Sequence, residues 1–191
     1  MIKTIAAVAA IIAVQLYYVI SESRMTVRTT RKMDNSADRG TRKLVWILIA
    51  VAFYGAWLPV IFSFGKMLAL GDWLTWVGVA VMIAGLIFRR YVILFLGSFF
   101  TATVQIHRDH QLIRTGPYRY IRHPSYLGIL IITLGDGIAL ANWLSLLLCI
   151  ALPAIGVVRR IKVEEDELFH HFGEQYRDYR EKTWRIIPLI Y

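Results

Sequence analysis

Long apolar runs, separated by short polar connections, restrict what this chain can fold into more than any other feature. Runs of about 17–25 apolar residues read as transmembrane helices, because hydrocarbon leaves every backbone polar group to be satisfied inside the segment. Residues 2–20 form the first run, interrupted only by Lys3, Thr4 and Gln15. It ends in Leu16-Tyr17-Tyr18-Val19-Ile20 and not in a small-residue cleavage site, so it reads as a retained span and not as a signal peptide. Residues 44–64 form the second run, with a kink expected at Pro59. A third opens over residues 73–88. Arg89-Arg90 follow, about 24 Å from Trp73 at 1.5 Å per residue, and are expected to snorkel to the inner headgroup level. Residues 91–104 stay apolar; the pattern leaves open whether they continue the helix, lie in the interface or re-enter. The stretch 126–158 is too long for one span. Gly135-Asp136-Gly137 and Asn142 predict a tight hairpin joining two short spans there.

Composition points the same way. The 191 residues are 57% hydrophobic and 18% charged, where soluble domains carry about 25% charge. Disorder is excluded, and an ordinary soluble domain is disfavoured. The net charge of +9 fits basic loops beside anionic lipid better than nucleic-acid binding. Arg24, Arg28, Arg31, Lys32, Arg39, Arg42 and Lys43 outnumber Glu22, Asp34 and Asp38 in the 21–43 connection. Segment 105–124 is also basic, whereas 65–72 and 136–142 are not. The Lys/Arg bias therefore predicts an all-α integral membrane protein of about five transmembrane helices, with the N-terminus outside and the C-terminus inside. One membrane domain, 1–191, is expected, with helices over 1–96 and the chemistry over 97–191. The segments 105–124 and 159–191 fall on one side, where they can build one site.

Segment 105–124 is the densest in polar and aromatic side chains. Gly116-Pro117 marks a turn. Pro124 pushes His123 toward an extended conformation and suits a first helical position, so a helix is expected to start at His123-Pro124. Its free N–H groups could receive an anion or a ring nitrogen. Further on, Arg160, Glu164, Leu168 and Phe172 share one helical row, and Gly173 is an expected stop. On residue type alone, a membrane-interface belt and a surface ion pair explain these features as well as a site does.

Several chemistries are disfavoured. The single cysteine, Cys149, excludes an intramolecular disulfide and cysteine-based zinc or iron–sulfur sites. His107 and His110 flank Asp109, and His170 is adjacent to His171, but no His-Glu-x-x-His run occurs, so no metal site is expected. Gly135-x-Gly137 lacks the third glycine and the βαβ context of a dinucleotide fingerprint.

The run Arg122-His123-Pro124-Ser125-Tyr126-Leu127-Gly128 resembles the Arg-His-Pro-x-Tyr-x-Gly signature of the isoprenylcysteine carboxyl methyltransferase family. The lead-in Leu112-Ile113-Arg114-Thr115-Gly116-Pro117-Tyr118 is similar to that family's, as are Glu164-Glu165 through Leu168 and Phe172-Gly173-Glu174-x-Tyr176 with Tyr179. The likeness covers about residues 100–188 and makes the chain a short member. It implies an integral membrane enzyme that uses S-adenosylmethionine, leaves S-adenosylhomocysteine, and methylates the C-terminal carboxylate of a prenylated cysteine. By resemblance, cofactor contacts fall on Gln105, His110, Gln111, Leu112, Ile113, Tyr118, His123, Pro124, Ser125, Tyr126 and Glu164. Arg160 would hold the acceptor carboxylate and act with Glu164 at the reacting centre. The acceptor would enter from the bilayer, and a small isoprenoid thioether or another lipid-like carboxylate fits as well as a prenylated protein. Related patterns occur in membrane methyltransferases of phospholipid amines and in membrane sterol reductases. Amine methylation and NADPH-dependent reduction of a sterol or isoprenoid therefore stay open, and a non-enzymatic lipid-binding scaffold would differ from all of these in lacking a saturable cofactor site.

Overall fold

The computed structural model describes residues 2–30, 38–67, 73–97, 100 and 112–188. Seven helices occur among them: α1 (Ile2–Thr30), α2 (Thr41–Gly55), α3 (Trp57–Ile61), α4 (Trp73–Leu96), α5 (Pro124–Ala139), α6 (Trp143–Phe172) and α7 (Glu174–Glu181). The only β-type pairings among the described residues are the isolated bridges Lys66–Asn142 and Ile121–Trp184. Among the described residues, four stretches are long and apolar enough to cross a membrane: Ile5–Val27, Thr41–Ile61, Trp73–Leu96 and Trp143–Phe172, with Pro124–Ala139 a shorter apolar helix. Their outward faces carry large apolar side chains such as Leu16, Val51, Ile87 and Leu147. An apolar outer surface of this kind belongs in lipid, and the chain is an all-α integral membrane protein.

The details differ from the sequence expectation in instructive ways. The second span breaks at Ala56, between α2 and α3, and not at Pro59 itself. The proline ring clashes with the carbonyl four residues back, which is that of Gly55. Helix α4 runs through Arg89-Arg90 to Leu96, so residues 91–96 continue the helix. Gly135-Asp136-Gly137 do not break the chain; all three are buried inside α5. The reversal comes at residues 140–142, where Ala141 adopts φ 48°. Asn142 then caps α6, its Oδ1 accepting from the N–H groups of Leu144 (3.0 Å) and Ser145 (3.1 Å).

The glycines of α5 have a packing role. A Cβ on Gly135 would lie 2.5 Å from the Met82 backbone nitrogen, and one on Gly78 would lie 2.2 Å from that of Ala139. Helices α4 and α5 thus approach backbone to backbone through small residues, as membrane helices do where lipid removes the hydrophobic drive to associate. Asp136, fully buried, accepts from Gln15 Nε2 of α1 (2.8 Å) and from Cys149 Sγ of α6 (3.5 Å). The polar group joins three helices instead of ending one.

Contacts divide the bundle into two ends. At one, Trp143 N–H bonds Gly65 O (2.9 Å) and Met67 N–H bonds Ala141 O (3.0 Å). At the other lie the start of α2, the turn over residues 116–119, the start of α5, the far part of α6 and the C-terminal segment. Arg89 belongs to this second end but does not snorkel. It is 7% exposed, pairs through Nε and Nη2 with both oxygens of Glu22 (2.7 Å each), and donates from Nη1 to Ser125 O (2.7 Å). A carboxylate on α1 satisfies the charge where it stands, so it need not reach water.

Candidate active site

The site is built where α5 begins. Gly116, at φ 57°, opens a 3-10 turn over Gly116–Arg119 that sets Tyr118 inside. The Tyr118 ring stacks on Phe95 with centroids 6.3 Å apart, and its carbonyl accepts from Tyr179 Oη of α7 (2.6 Å). Burial pushes the phenols of Tyr118 and Tyr179 well above the usual tyrosine range, so both stay neutral throughout the physiological span. Pro124 takes the first position of α5, and His123 precedes it with φ −124° and ψ 55°.

The C-terminal segment lies along this entry. Arg122 N–H bonds Trp184 O (2.8 Å), His123 N–H bonds Arg185 O (3.0 Å), and Trp184 N–H bonds Tyr120 O (2.9 Å). Glu165 of α6 clamps the arrangement. It accepts from Arg122 Nε (3.0 Å) on one oxygen and from Arg185 Nε and Nη2 (2.9 Å each) on the other. Arg122 Nη1 also reaches the carbonyls of Arg180 (3.0 Å) and Thr183. Shared partners of this kind make a buried charge tolerable.

Tyr126 is the meeting point of the two segments. Its hydroxyl donates to Glu164 Oε2 (2.8 Å) and accepts from Arg160 Nε (3.1 Å). Arg160 and Glu164, which share a helical row, are thus bridged by a side chain from α5. Arg160 Nη1 turns to Asp38 Oδ1 and to Thr41 Oγ1 (2.9 Å) at the start of α2. Arg160 is 4% exposed, whereas the Glu164 side chain keeps 32% of its surface. His123 stands between the two acids, with Nδ1 3.9 Å from Glu164 Oε1 and Nε2 3.4 Å from Glu165 Oε1. Among the described residues, the buried Tyr176 Oη has no hydrogen-bond partner, and His123 Nε2 has no contact of hydrogen-bond geometry beyond its 3.4 Å approach to Glu165. Orphaned buried polar atoms are costly in a finished core.

Of the residues expected from sequence, His123, Pro124, Ser125, Tyr126, Arg160 and Glu164 come together here. Tyr118 lies behind them, its hydroxyl 3.4 Å from Val92 O. Leu112 and Ile113 are half-buried in the lead-in to the turn. Gln105, His110 and Gln111 lie outside the described residues. Asp38, Thr41, Glu165, Arg122 and Arg185 were not singled out as site residues by sequence reasoning. Glu165 and Arg122 stood inside the quoted motifs, but nothing in the sequence pointed to Asp38. Among the described residues, no group of three His, Cys, Asp or Glu side chains could hold a metal ion.

Comparison with known proteins points to one family. The family model for the isoprenylcysteine carboxyl methyltransferase (ICMT) family matches residues 76–170. A protein-S-isoprenylcysteine O-methyltransferase of Dictyostelium discoideum is 33% identical over 145 residues, covering 75% of this chain and 60% of the relative. One from Tribolium castaneum is 37% identical over 120 residues, covering 62% of this chain and 43% of the relative. The chain therefore spans about half of these relatives' length. A solved structure of the eukaryotic intramembrane Ras methyltransferase ICMT superposes with a TM-score of 0.71 at 27% identity, covering 98% of this chain and 68% of that one. The matched stretch holds α4 from Trp76, the 3-10 turn, α5 and α6 as far as His170, and with them Arg122, His123, Tyr126, Arg160, Glu164 and Glu165. With the family model, the relatives and the solved structure in agreement, the chain belongs to the isoprenylcysteine carboxyl methyltransferase family.

Proposed function

We propose that this protein transfers a methyl group from S-adenosylmethionine to the carboxylate of a prenylcysteine or a similar lipid-like acceptor, at the cytoplasmic face of a membrane. The observation that carries the reading is the Tyr126 bridge between Arg160 and Glu164. It unites a guanidinium able to hold a carboxylate and a carboxylate able to hold a cationic or ribosyl ligand, at the end of an apolar bundle. The basic 21–43 connection and the 105–124 segment support a cytoplasmic placing of that end.

The residues present suit the cofactor. Among the described residues, Tyr176 Oη is a buried polar atom without a hydrogen-bond partner, His123 Nε2 makes only a long 3.4 Å approach to Glu165, and Glu164 is the acid of the site that retains solvent exposure. Glu164, His123, Ser125 and Tyr126 would hold the cofactor, with Gln105, His110, Gln111, Leu112, Ile113, Tyr118 and Pro124 lining its binding region. When bound, S-adenosylmethionine supplies an electrophilic methyl on a sulfonium.

The chain's own task is approach, alignment and exclusion of water. A carboxylate acceptor is already anionic at neutral pH and needs no general base. Arg160 draws it in by charge-assisted hydrogen bonds, strongest where water is scarce. With an anionic acceptor and a sulfonium donor both held, charge would disappear as the oxygen–methyl bond replaced the sulfur–methyl bond and the thioether S-adenosylhomocysteine left, a change that a low-dielectric site would favour. Tyr126 keeps Arg160 and Glu164 a fixed distance apart, so acceptor and donor meet in register. The acceptor's apolar tail reaches the site from the bilayer.

The test is incubation of purified protein with methyl-labelled S-adenosylmethionine and a small prenylcysteine, followed by mild base. Label released as volatile methanol is the expected result. Label that stays base-stable would indicate an amine acceptor, and no transfer to any lipid-like acceptor would refute the reading.

A further inference from the structure

Arg160 is oriented by residues outside the stretch that the family model matches. Its guanidinium is planar and carries five donors in fixed directions, so two partners on different edges determine its plane. Nε is fixed by Tyr126 Oη at 3.1 Å, and Nη1 by Asp38 Oδ1 and by Thr41 Oγ1 at 2.9 Å. Arg160, Asp38 and Thr41 are all buried. The matched stretch covers residues 76–170 and includes neither Asp38 nor Thr41.

Asp38 is itself locked. Its Oδ2 accepts from Arg42 N–H (3.1 Å), and its carbonyl accepts from Thr41 N–H (3.0 Å) and Thr41 Oγ1 (2.8 Å). Arg39 at φ 48° and Gly40 at φ 74° are both left-handed, which folds the chain back on itself between Asp38 and Thr41. Both side chains thereby reach one guanidinium nitrogen. The Thr41 hydroxyl donates to Asp38 and accepts from Arg160, so the three groups form one chain of hydrogen bonds. A carboxylate tied into the first turn of a helix is a fixed support, unlike a counter-ion on a free surface loop.

We infer that Asp38 and Thr41 are positioning residues that set the orientation of the Arg160 guanidinium toward the acceptor carboxylate. This rests on the reading of Arg160 as the acceptor's anchor. The arrangement has a chemical use beyond geometry. An arginine whose charge is partly satisfied by Asp38 holds the acceptor without withdrawing all the electron density that its attacking oxygen needs.

The test uses the full chain in detergent or nanodiscs, with Asp38→Ala, Asp38→Asn and Thr41→Val. Three quantities are read: kcat and KM for a small prenylcysteine, affinity for S-adenosylhomocysteine, and solvent exchange of the Arg160 Nε–H by 15N NMR. Asp38→Ala is expected to lower kcat about tenfold or more, the scale of a misplaced reactant. S-adenosylhomocysteine affinity should stay within about twofold, since the cofactor contacts are untouched. The Arg160 Nε–H, protected in the parent protein, should exchange faster. Asp38→Asn, which keeps an acceptor oxygen, should fall between, and Thr41→Val should lose activity in the same direction by a smaller factor. If Asp38→Ala does not fold, the Asn and Val variants decide the matter alone. Unchanged kcat with a lower acceptor KM would overturn the inference, because Asp38 would then be a competitor for Arg160. Unaltered Nε–H exchange would overturn it as well. If the parent protein transfers no methyl group, the functional reading fails separately, and Nε–H exchange still decides whether Asp38 and Thr41 orient Arg160.

Discussion

Removing one oxygen atom tests the heart of the site. Tyr126→Phe keeps the ring and deletes the hydroxyl that donates to Glu164 (2.8 Å) and accepts from Arg160 (3.1 Å). Each of these is a hydrogen bond to a charged group, worth about 1.5–3 kcal/mol. The two do not add. Glu164 retains 32% of its side-chain surface and can recover water, whereas Arg160 keeps Asp38 and Thr41. One bond's worth is the reasonable net loss. At 1.36 kcal/mol per factor of ten, that is about a ten- to hundredfold fall in the rate of methyl transfer. Because the ring remains, the fold and its apolar contacts should survive, with Tm lowered by about 3–12 °C for the same loss of about 1.5–3 kcal/mol. The assay is initial-rate transfer of labelled methyl, with calorimetric titration of S-adenosylhomocysteine alongside. A variant within twofold of the parent in kcat/KM would show that the bridge is a packing detail with no part in methyl transfer.

Other outcomes follow from the same geometry. Arg160→Ala and Glu164→Ala should each lower transfer by about a hundredfold or more, as loss of a charge-assisted anchor does; near-normal turnover in both would return them to structural roles. Glu165→Gln removes the charge that Arg122 and Arg185 share. It should cost about 3 kcal/mol and lower Tm by roughly 6–12 °C in a detergent melt. Gly135→Val should destabilise strongly, because its Cβ would meet the Met82 backbone nitrogen at 2.5 Å, while Gly55→Ala, whose Cβ meets only Val51 Cγ1 at 3.8 Å, should melt at or above the parent. The rate should be flat from about pH 6 to 8, since a carboxylate acceptor is already ionised and burial keeps the Tyr118 and Tyr179 phenols neutral; a rate that falls with falling pH would indicate an amine acceptor.

The sequence made the membrane fold legible because hydrocarbon tolerates so few alternatives. Length and polarity alone located the spans, and the Arg-His-Pro run with its paired downstream glutamates located one end of the site. What stayed hidden depended on partners far apart in the chain. Arg89 carries no local sign that Glu22, 67 positions away, will neutralise it inside the bundle. Asp38 sat in a polar, basic connection that looked like any solvated loop, and only the fold brings it to Arg160. Gly135-Asp136-Gly137 misled for a different reason. Glycine and aspartate signal turns in water, but between membrane helices glycine permits close approach, and Asp136 finds Gln15 and Cys149. The true reversal, at Ala141 and Asn142, was marked by the helix cap.

On the proposed reading, residues 112–126 and 160–176 cup one small molecule between them. Calorimetric binding of S-adenosylhomocysteine to the purified protein, and then to Glu164→Ala, tests it most directly. Saturable micromolar binding by the parent, weakened about tenfold or more by Glu164→Ala, is the predicted result. No binding, or binding indifferent to Glu164, would contradict the account, and thermal protection by NADPH in its place would redirect it to a reductase.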